Sequence, residues 1–286
     1  MGEAVAAGTV AEALGASVAA LEAAGVDSPR LDAELLLAEA TGRDRAALAA
    51  EPDLGIDAAA GRTFGAMIRR RVLREPVAYI LGRRGFRNLE LICDARALVP
   101  RPETELLVDV ALELRPSSVL DVGTGSGAIA LALADELPGV EVVGVDTSPA
   151  ALALARENAE RLSLADRVSL QLGALPAPRS FDLVVANLPY VRDADWPELA
   201  PEITRHEPRS ALLGGDDGLD PIRGLLAALA SDSGPARTGL GCEAVALEVG
   251  EGQAGEVGAL VEAAGFAEAE VHRDLAGIER VVIGRR

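Results

Sequence analysis

Asn187-Leu188-Pro189-Tyr190 brings an amide, a backbone carbonyl, a rigid proline and an aromatic ring to the end of a short apolar run, Phe181–Ala186. Asn187 can donate and accept hydrogen bonds, and Tyr190 can stack on a planar face. Together the four suit a flat group that carries an NH₂. The same pattern also describes a strand-to-loop turn punctuated by proline. Upstream, Gly123-Thr124-Gly125-Ser126-Gly127 follows Val119-Leu120-Asp121-Val122 and precedes a helical pattern from Ala128. Glycines between a strand and a helix let backbone N–H groups approach a ligand at the positive helix end. Asp146 stands 19 residues past Gly127 and closes another apolar run, Glu141–Val145. A carboxylate there can accept two hydrogen bonds from a ribose diol. Ala128 is followed by Ile129, so the G-x-G-x-x-G ending of dinucleotide sites is missing. A nucleoside with a cationic tail fits better than a pyrophosphate.

These residues need a sheet to hold them. From Ser117 the pattern repeats strand, loop, helix, with strands at 119–122, 141–145, 168–172, 181–186 and 244–249. Helices follow at 128–135, 150–162 and 254–264. Two last strands, near 267–273 and 280–283, have a short connection that suits antiparallel pairing. The fold class is α/β, a doubly wound, mostly parallel seven-stranded sheet. In such sheets ligands bind outside the carboxyl ends of the strands, where all three clusters fall.

Residues 3–75 read as a small helical bundle. Val10, Leu14, Val18 and Leu21 recur at helical spacing before Gly25, Ser28-Pro29 opens a second helix, and a third covers about 58–73. The bundle either grips a macromolecular partner or caps the next domain. Residues 76–100 read as a linker containing a β-hairpin, with strand-like pieces Phe86–Ile92 and Ala97–Val99 around Cys93-Asp94-Ala95-Arg96. Arg101-Pro102-Glu103-Thr104-Glu105 reads as an ordinary helix start. The expected domains are 1–75, the linker 76–100, and a catalytic domain over 101–286.

Lys plus Arg number 27 against 45 for Asp plus Glu, a net charge of −18, which excludes a nucleic-acid-binding surface spread over the whole chain. The sign reverses locally: Arg69, Arg70, Arg71, Arg74, Arg83, Arg84 and Arg87 face only Glu75. Such a run is either a solvated face or a contact to RNA phosphate or an acidic partner. Any nucleic-acid contact is expected there alone. Cys93 and Cys242 lack metal-site spacing and read as reduced structural thiols, with no metal site expected. No apolar run approaches about 18 residues, and the Ala-rich start carries Glu3, Glu12 and Glu22. The expectation is a cytoplasmic monomer with no membrane contact.

DVGTGSGAIAL, VVGVDTSPAALALARENA and the strand-end NLPY together resemble the class I methyltransferases that use S-adenosylmethionine. With EPVAYILGRRGF, LVPRPETELL, HEPRSALLGGDDGLDPIR and RDLAGIERVVIGR, the whole chain resembles the HemK-type glutamine N5-methyltransferases of peptide chain release factors. The resemblance implies that Gly123, Thr124, Gly125, Ser126 and Gly127 hold the methionine part of the cofactor and Asp146 its ribose. It implies that Asn187, Leu188, Pro189 and Tyr190 hold the glutamine of a Gly-Gly-Gln motif, with Asn187 also bordering the cofactor. Two departures stand out. Leu188 replaces the family's first proline, and the same tetrapeptide occurs in ribosomal RNA adenine dimethyltransferases. Gly173-Ala174-Leu175 lies where the family has an acid for the adenine amino group, which leaves that recognition to backbone or to Leu175.

An amide nitrogen is a poor nucleophile because resonance delocalises its lone pair. Accepting its protons on the Asn187 side-chain oxygen and the Leu188 carbonyl pushes density onto nitrogen and aims the lone pair at the methyl. No strong general base is required, and His206 and His272 read as surface or loop residues. The alternatives are a ribosomal-protein glutamine methyltransferase, an adenine-N6 methyltransferase on RNA or DNA that clasps a flipped base, and an inactive binding protein.

Overall fold

The computed structural model describes residues 8–230, 240–267 and 269–286; positions 3–7 and 268 of the expected elements lie outside the described residues. The chain divides into two compact units, residues 1–82 with 200–206, and residues 83–199 with 207–286.

The first unit is helical: α1 (Val10–Ala23), α2 (Pro29–Thr41), α3 (Arg45–Ala50), α4 (Ala58–Val72), α5 (Val77–Leu81) and a short helix, Pro201–His206. Thr9 and Glu12 close a capping box on α1, and Asp57 caps α4 by accepting from the N–H groups of Ala59 and Ala60. Leu14, Leu21, Leu36, Leu37, Phe64 and Ile68 fill the core. Here the arginine run takes an unexpected form. Arg71 is buried between Asp32 and Glu202, each 2.7 Å away, and Arg74 reaches Glu202 at 2.6 Å and the carbonyls of Ala24 and Gly25. Arg70 pairs with Glu75. Burial raises the Glu202 pKa, but Arg74 and Arg71 outweigh it and hold the carboxyl below its ordinary range.

The second unit opens with a hairpin, β1 (Arg83–Phe86) and β2 (Leu89–Ile92), paired antiparallel. Its turn is Arg87-Asn88, with Arg87 at φ +51°, where the sequence pattern put it at residues 93–96, and residues 97–99 form no strand. Arg83 pairs with Glu90, and Arg87 with Asp109 and Glu136. Five of the seven arginines are thus engaged by carboxylates of this chain, so the run is not an open basic face.

The main sheet has β3 (Ser118–Val122), β4 (Glu141–Asp146), β5 (Val168–Leu172), β6 (Arg179–Ala186), β7 (Leu240–Glu248), β8 (Glu270–Arg273) and β9 (Glu279–Arg285). Their order is β5-β4-β3-β6-β7-β9-β8, parallel except for β9, which runs antiparallel to β7 and to β8. Helices α6 (Glu105–Leu114) and α7 (Ala128–Glu136) cover one face, over Val119, Val142, Leu183 and Val185. The helices Asp220–Ala230 and Ala254–Ala263 cover the other, over Leu120, Val143, Val184 and Val245. Burial on both faces is why these strands read as unbroken apolar runs. The strand order reverses between β3 and β6, and the carboxyl ends of those two strands carry Gly123 and Asn187.

Candidate functional site

The loop after β3 is pinned to the end of β4. The N–H groups of Gly123 and Thr124 both donate to the Val145 carbonyl, at 2.9 and 3.0 Å. Asp146 accepts from the Gly125 N–H on Oδ2 at 2.9 Å and from the Ser148 N–H on Oδ1 at 2.8 Å. Gly123, Gly125 and Gly127 all have positive φ. Gly123 is further constrained because a Cβ there would come within 3.2 Å of Leu188 Cδ2. Only glycine combines that backbone with that contact.

Three buried side chains that the sequence did not single out support this loop and the end of β6 beside it. Asp121 is fully buried within β3; its Oδ2 accepts from the Thr124 hydroxyl at 2.6 Å and the Ala130 N–H at 3.2 Å. Its Oδ1 has no partner among the described residues. Burial pushes its pKa up to about 7, against those two hydrogen bonds. Asn158, on α8 (Pro149–Arg161), donates to the carbonyls of Ser126 and Ile92 and accepts from the Ile92 N–H, which ties the hairpin to the glycine loop. Thr104, at the end of the 3₁₀ turn Pro102–Thr104, accepts from Asn187 Nδ2 at 3.1 Å. An acid inside an apolar strand and an amide on a buried helix face were the available signals for Asp121 and Asn158.

Beyond Asn187, the tetrapeptide is held on both sides. Leu188 is 9% exposed and packs in the core beside Val122 and Val145. Val191 accepts from Gly214 N–H and donates to the Leu212 carbonyl, laying residues 208–214 alongside. The Tyr190 carbonyl accepts from Gln253, and its hydroxyl lies 3.5 Å from Glu248 Oε1 at the end of β7. Burial pushes Tyr190 up to about 12, so the phenol stays neutral. Glu248 is 2% exposed, and burial pushes its carboxyl up to about 7.

These pieces surround a cavity of about 560 Å³, within the roughly 300–1,000 Å³ of small-molecule sites. Gly123, Thr124, Gly125, Ser126, Asp146, Leu175, Asn187, Leu188 and Pro189 all line it, with Thr104, Ala174, Pro221 and Leu225. Two of the expected residues are not on its wall: Gly127, which opens α7, and Tyr190, turned toward Glu248. Arg101 borders the cavity and is held by Glu207 at 2.6 Å.

Comparison with known proteins agrees across the chain. Residues 12–82 match the PrmC N-terminal domain, and residues 119–207 a methyltransferase domain. The release factor glutamine methyltransferase of Deinococcus radiodurans is 43% identical, covering 94% of this chain and 96% of that protein. That of Geobacter sulfurreducens is 41% identical, covering 91% of each. Among solved structures, the hMettl16 catalytic domain in complex with the MAT2A 3'UTR hairpin 6 superposes with a TM-score of 0.57 at 13% identity, over 77% of this chain and 81% of that one. That likeness speaks for the fold alone.

Proposed function

The chain belongs to the family of release factor glutamine methyltransferases, and on that premise we propose that it methylates the side-chain amide nitrogen of the glutamine in a release factor's Gly-Gly-Gln motif. The observation that carries this reading is that the glycine loop, Asp146 and Asn187–Pro189 line one cavity, with Leu188 seated against Gly123.

The residues fit S-adenosylmethionine. The loop Gly123–Gly127 at the start of α7 suits the methionine carboxylate, and Asp146, whose oxygens each accept one backbone N–H, keeps further lone pairs for a ribose diol. Leu175, Pro221 and Leu225 supply an apolar wall for adenine where Ala174 offers no acid. When bound, the cofactor supplies a methyl group activated by a sulfonium. Everything else falls to the chain. Asn187 Oδ1 and the Leu188 carbonyl accept the amide protons of the substrate glutamine, which concentrates density on nitrogen and fixes the direction of its lone pair. Leu188 keeps the acceptor that matters, because the carbonyl belongs to the backbone. The proton lost after methylation needs no buried base, since N-methylation makes it acidic enough for water.

We place the reaction in the cytoplasm, in keeping with two unbridged, buried cysteines, Cys93 and Cys242, whose thiols burial pushes up to about 12. The test is transfer of labelled methyl from S-adenosylmethionine to a release-factor fragment containing Gly-Gly-Gln, beside an adenine-containing RNA. Label is expected on the glutamine of the fragment, and Asn187→Ala should cut turnover roughly 10²-fold or more. Label on the RNA alone overturns the proposal.

A further inference from the structure

The two acceptors offered to the substrate glutamine, Asn187 Oδ1 and the Leu188 carbonyl, stand just past the end of β6. Upstream they continue a strand held on both sides, since Ala186 pairs with Val122 and with Leu247. Downstream the chain leaves the sheet. Pro189 gives that downstream side control of the geometry. Its ring fixes φ, so the Leu188 carbonyl and the proline move as one body. Leu188 has no ring, and its own φ must be set by what surrounds it.

The body is anchored at the peptide that joins Tyr190 to Val191. The N–H of this peptide donates to the Leu212 carbonyl at 2.8 Å. Its carbonyl accepts from Gln253 Nε2 at 3.0 Å, and Gln253 Oε1 accepts from the Gly250 N–H at 2.8 Å. A backbone N–H only donates and a carbonyl only accepts, so this side-chain amide has one orientation. Gln253 opens the helix Ala254–Ala263, but its side chain makes no capping bond. Its own N–H donates to the Gly250 carbonyl at 3.1 Å, which closes the turn that carries it. Two glycines leave room for this clamp. A Cβ on Gly250 would come within 2.8 Å of Gln253 Oε1 and 3.2 Å of the Tyr190 ring. One on Gly218 would come within 2.2 Å of the Tyr190 carbonyl oxygen and 2.9 Å of Gln253 Nε2.

We propose that Gln253 is a positioning residue for methyl transfer: by tying the Tyr190 carbonyl to the Gly250 turn, it fixes the direction of the Leu188 carbonyl and so the line from substrate nitrogen to methyl group. This inference rests on the glutamine-methylating reading above. With the Leu212 bond alone, the Tyr190–Val191 peptide can pivot; a second bond on its opposite side removes that freedom. Gln253 is not on the cavity wall, so its effect reaches the substrate only through the tetrapeptide. Losing the clamp costs alignment, which is paid in rate, and leaves the cofactor's own contacts in place.

The experiment is single-turnover methylation of the Gly-Gly-Gln fragment at pH 8 and saturating S-adenosylmethionine. Gln253→Met keeps the length and loses both amide bonds. Gln253→Glu keeps an acceptor for the Gly250 N–H and, ionised, has no donor for Tyr190. Both should slow methyl transfer roughly 10- to 100-fold, with cofactor Kd and half-saturating fragment concentration within about threefold of the parent. A carbonyl ¹³C label on tyrosine gives a readout that needs no substrate. The chain has two tyrosines, Tyr79 and Tyr190, and Tyr79→Phe assigns the signals. The Tyr190 carbonyl signal should move in both variants. A Gln253→Glu that methylates like the parent overturns the inference, as does a rate loss in either variant matched by an equal loss of cofactor affinity. An unmoved Tyr190 signal overturns it as well. A parent that methylates no glutamine while the Tyr190 signal still moves overturns the functional reading instead, and leaves the clamp without that role.

Discussion

Replacing Asp146 with alanine removes a carboxylate that holds two backbone groups before any ligand arrives: Gly125 N–H at 2.9 Å and Ser148 N–H at 2.8 Å. Each oxygen has further acceptor capacity, enough for the two hydroxyls of a ribose. Hydrogen bonds to a charged group contribute about 1.5–3 kcal/mol each. Two would give about 3–6 kcal/mol, and water filling the gap returns part of that. A net loss of about 2–4 kcal/mol is expected, which at about 1.4 kcal/mol per decade is roughly 30- to 700-fold in Kd. Titration calorimetry with S-adenosylmethionine measures it, and thermal unfolding checks that the fold survives. A cofactor analogue lacking both ribose hydroxyls separates the ligand bonds from the loop bonds. The parent should bind the analogue weakly, and Asp146→Ala should weaken it little further. If the variant binds S-adenosylmethionine within threefold of the parent, the ribose assignment is wrong. If it loses the analogue as strongly as the parent cofactor, Asp146 acts through the glycine loop and not on the ribose.

Leu188 tests whether the departure from the family's proline is neutral. Leu188→Pro keeps the carbonyl and most of the buried volume, and should methylate within about tenfold of the parent; Leu188→Ala empties the space behind Gly123 and should cost about 2–4 kcal/mol of stability in urea unfolding. Equal stability of the two variants would deny that packing a role. Asp121 carries a pH effect: its pKa is about 7 in the folded chain against an ordinary 3.8, so the folded state binds its proton more tightly and stability falls as pH rises from about 4 to about 7. Asp121→Asn offers an oxygen to Thr124 and Ala130 and puts its NH₂ where Oδ1 lacks a partner. Its melting temperature at pH 8 should exceed the parent's and depend less on pH, whereas a drop at pH 8 would refute the burial argument. In the helical unit, Glu202→Ala leaves Arg71 and Arg74 buried and one acid short. About 3 kcal/mol of stability should be lost, the low end for broken buried pairs because Asp32 and two carbonyls remain; a change under about 1 kcal/mol would show the network to be solvated.

The central strands β3, β4, β6 and β7 were legible because parallel strands covered on both faces carry runs of Val, Leu and Ala, and their order in the chain leaves few windings. Helices α3 and α5 were not, being six and five residues long and too short for a 3.6-residue period to show. The hairpin was foreseen but its turn was not. The turn sits at Arg87-Asn88 with no glycine to mark it, while the turn that does form at Asp94–Ala97, closed by the Ala97 N–H on the Asp94 carbonyl, lies beyond the hairpin. The internal pairing of the arginine run was hidden for a different reason. Besides the nearby Glu75 and Glu90, its acids stand at Asp32, Glu202, Asp109 and Glu136, far along the chain, and charge seen in one dimension cannot report a partner brought in by topology.

The same asymmetry runs through the candidate site. Residues that line the cavity come in consecutive blocks, because a strand end delivers its neighbours to one place, and blocks are what a sequence displays. Residues that orient them come singly from other elements. Thr104 shows how such a residue could be noticed. A threonine before an acid at the start of a helix is ordinarily a cap, worth about 1 kcal/mol to the helix it opens. Here Thr104 precedes α6 and makes no capping bond; its backbone is helical, at φ −66° and ψ −20°. The hydroxyl that could close the helix accepts from Asn187 instead. A cap residue that does not cap forgoes stability that its position offers, and that forfeit locates the pull of the site on its hydroxyl.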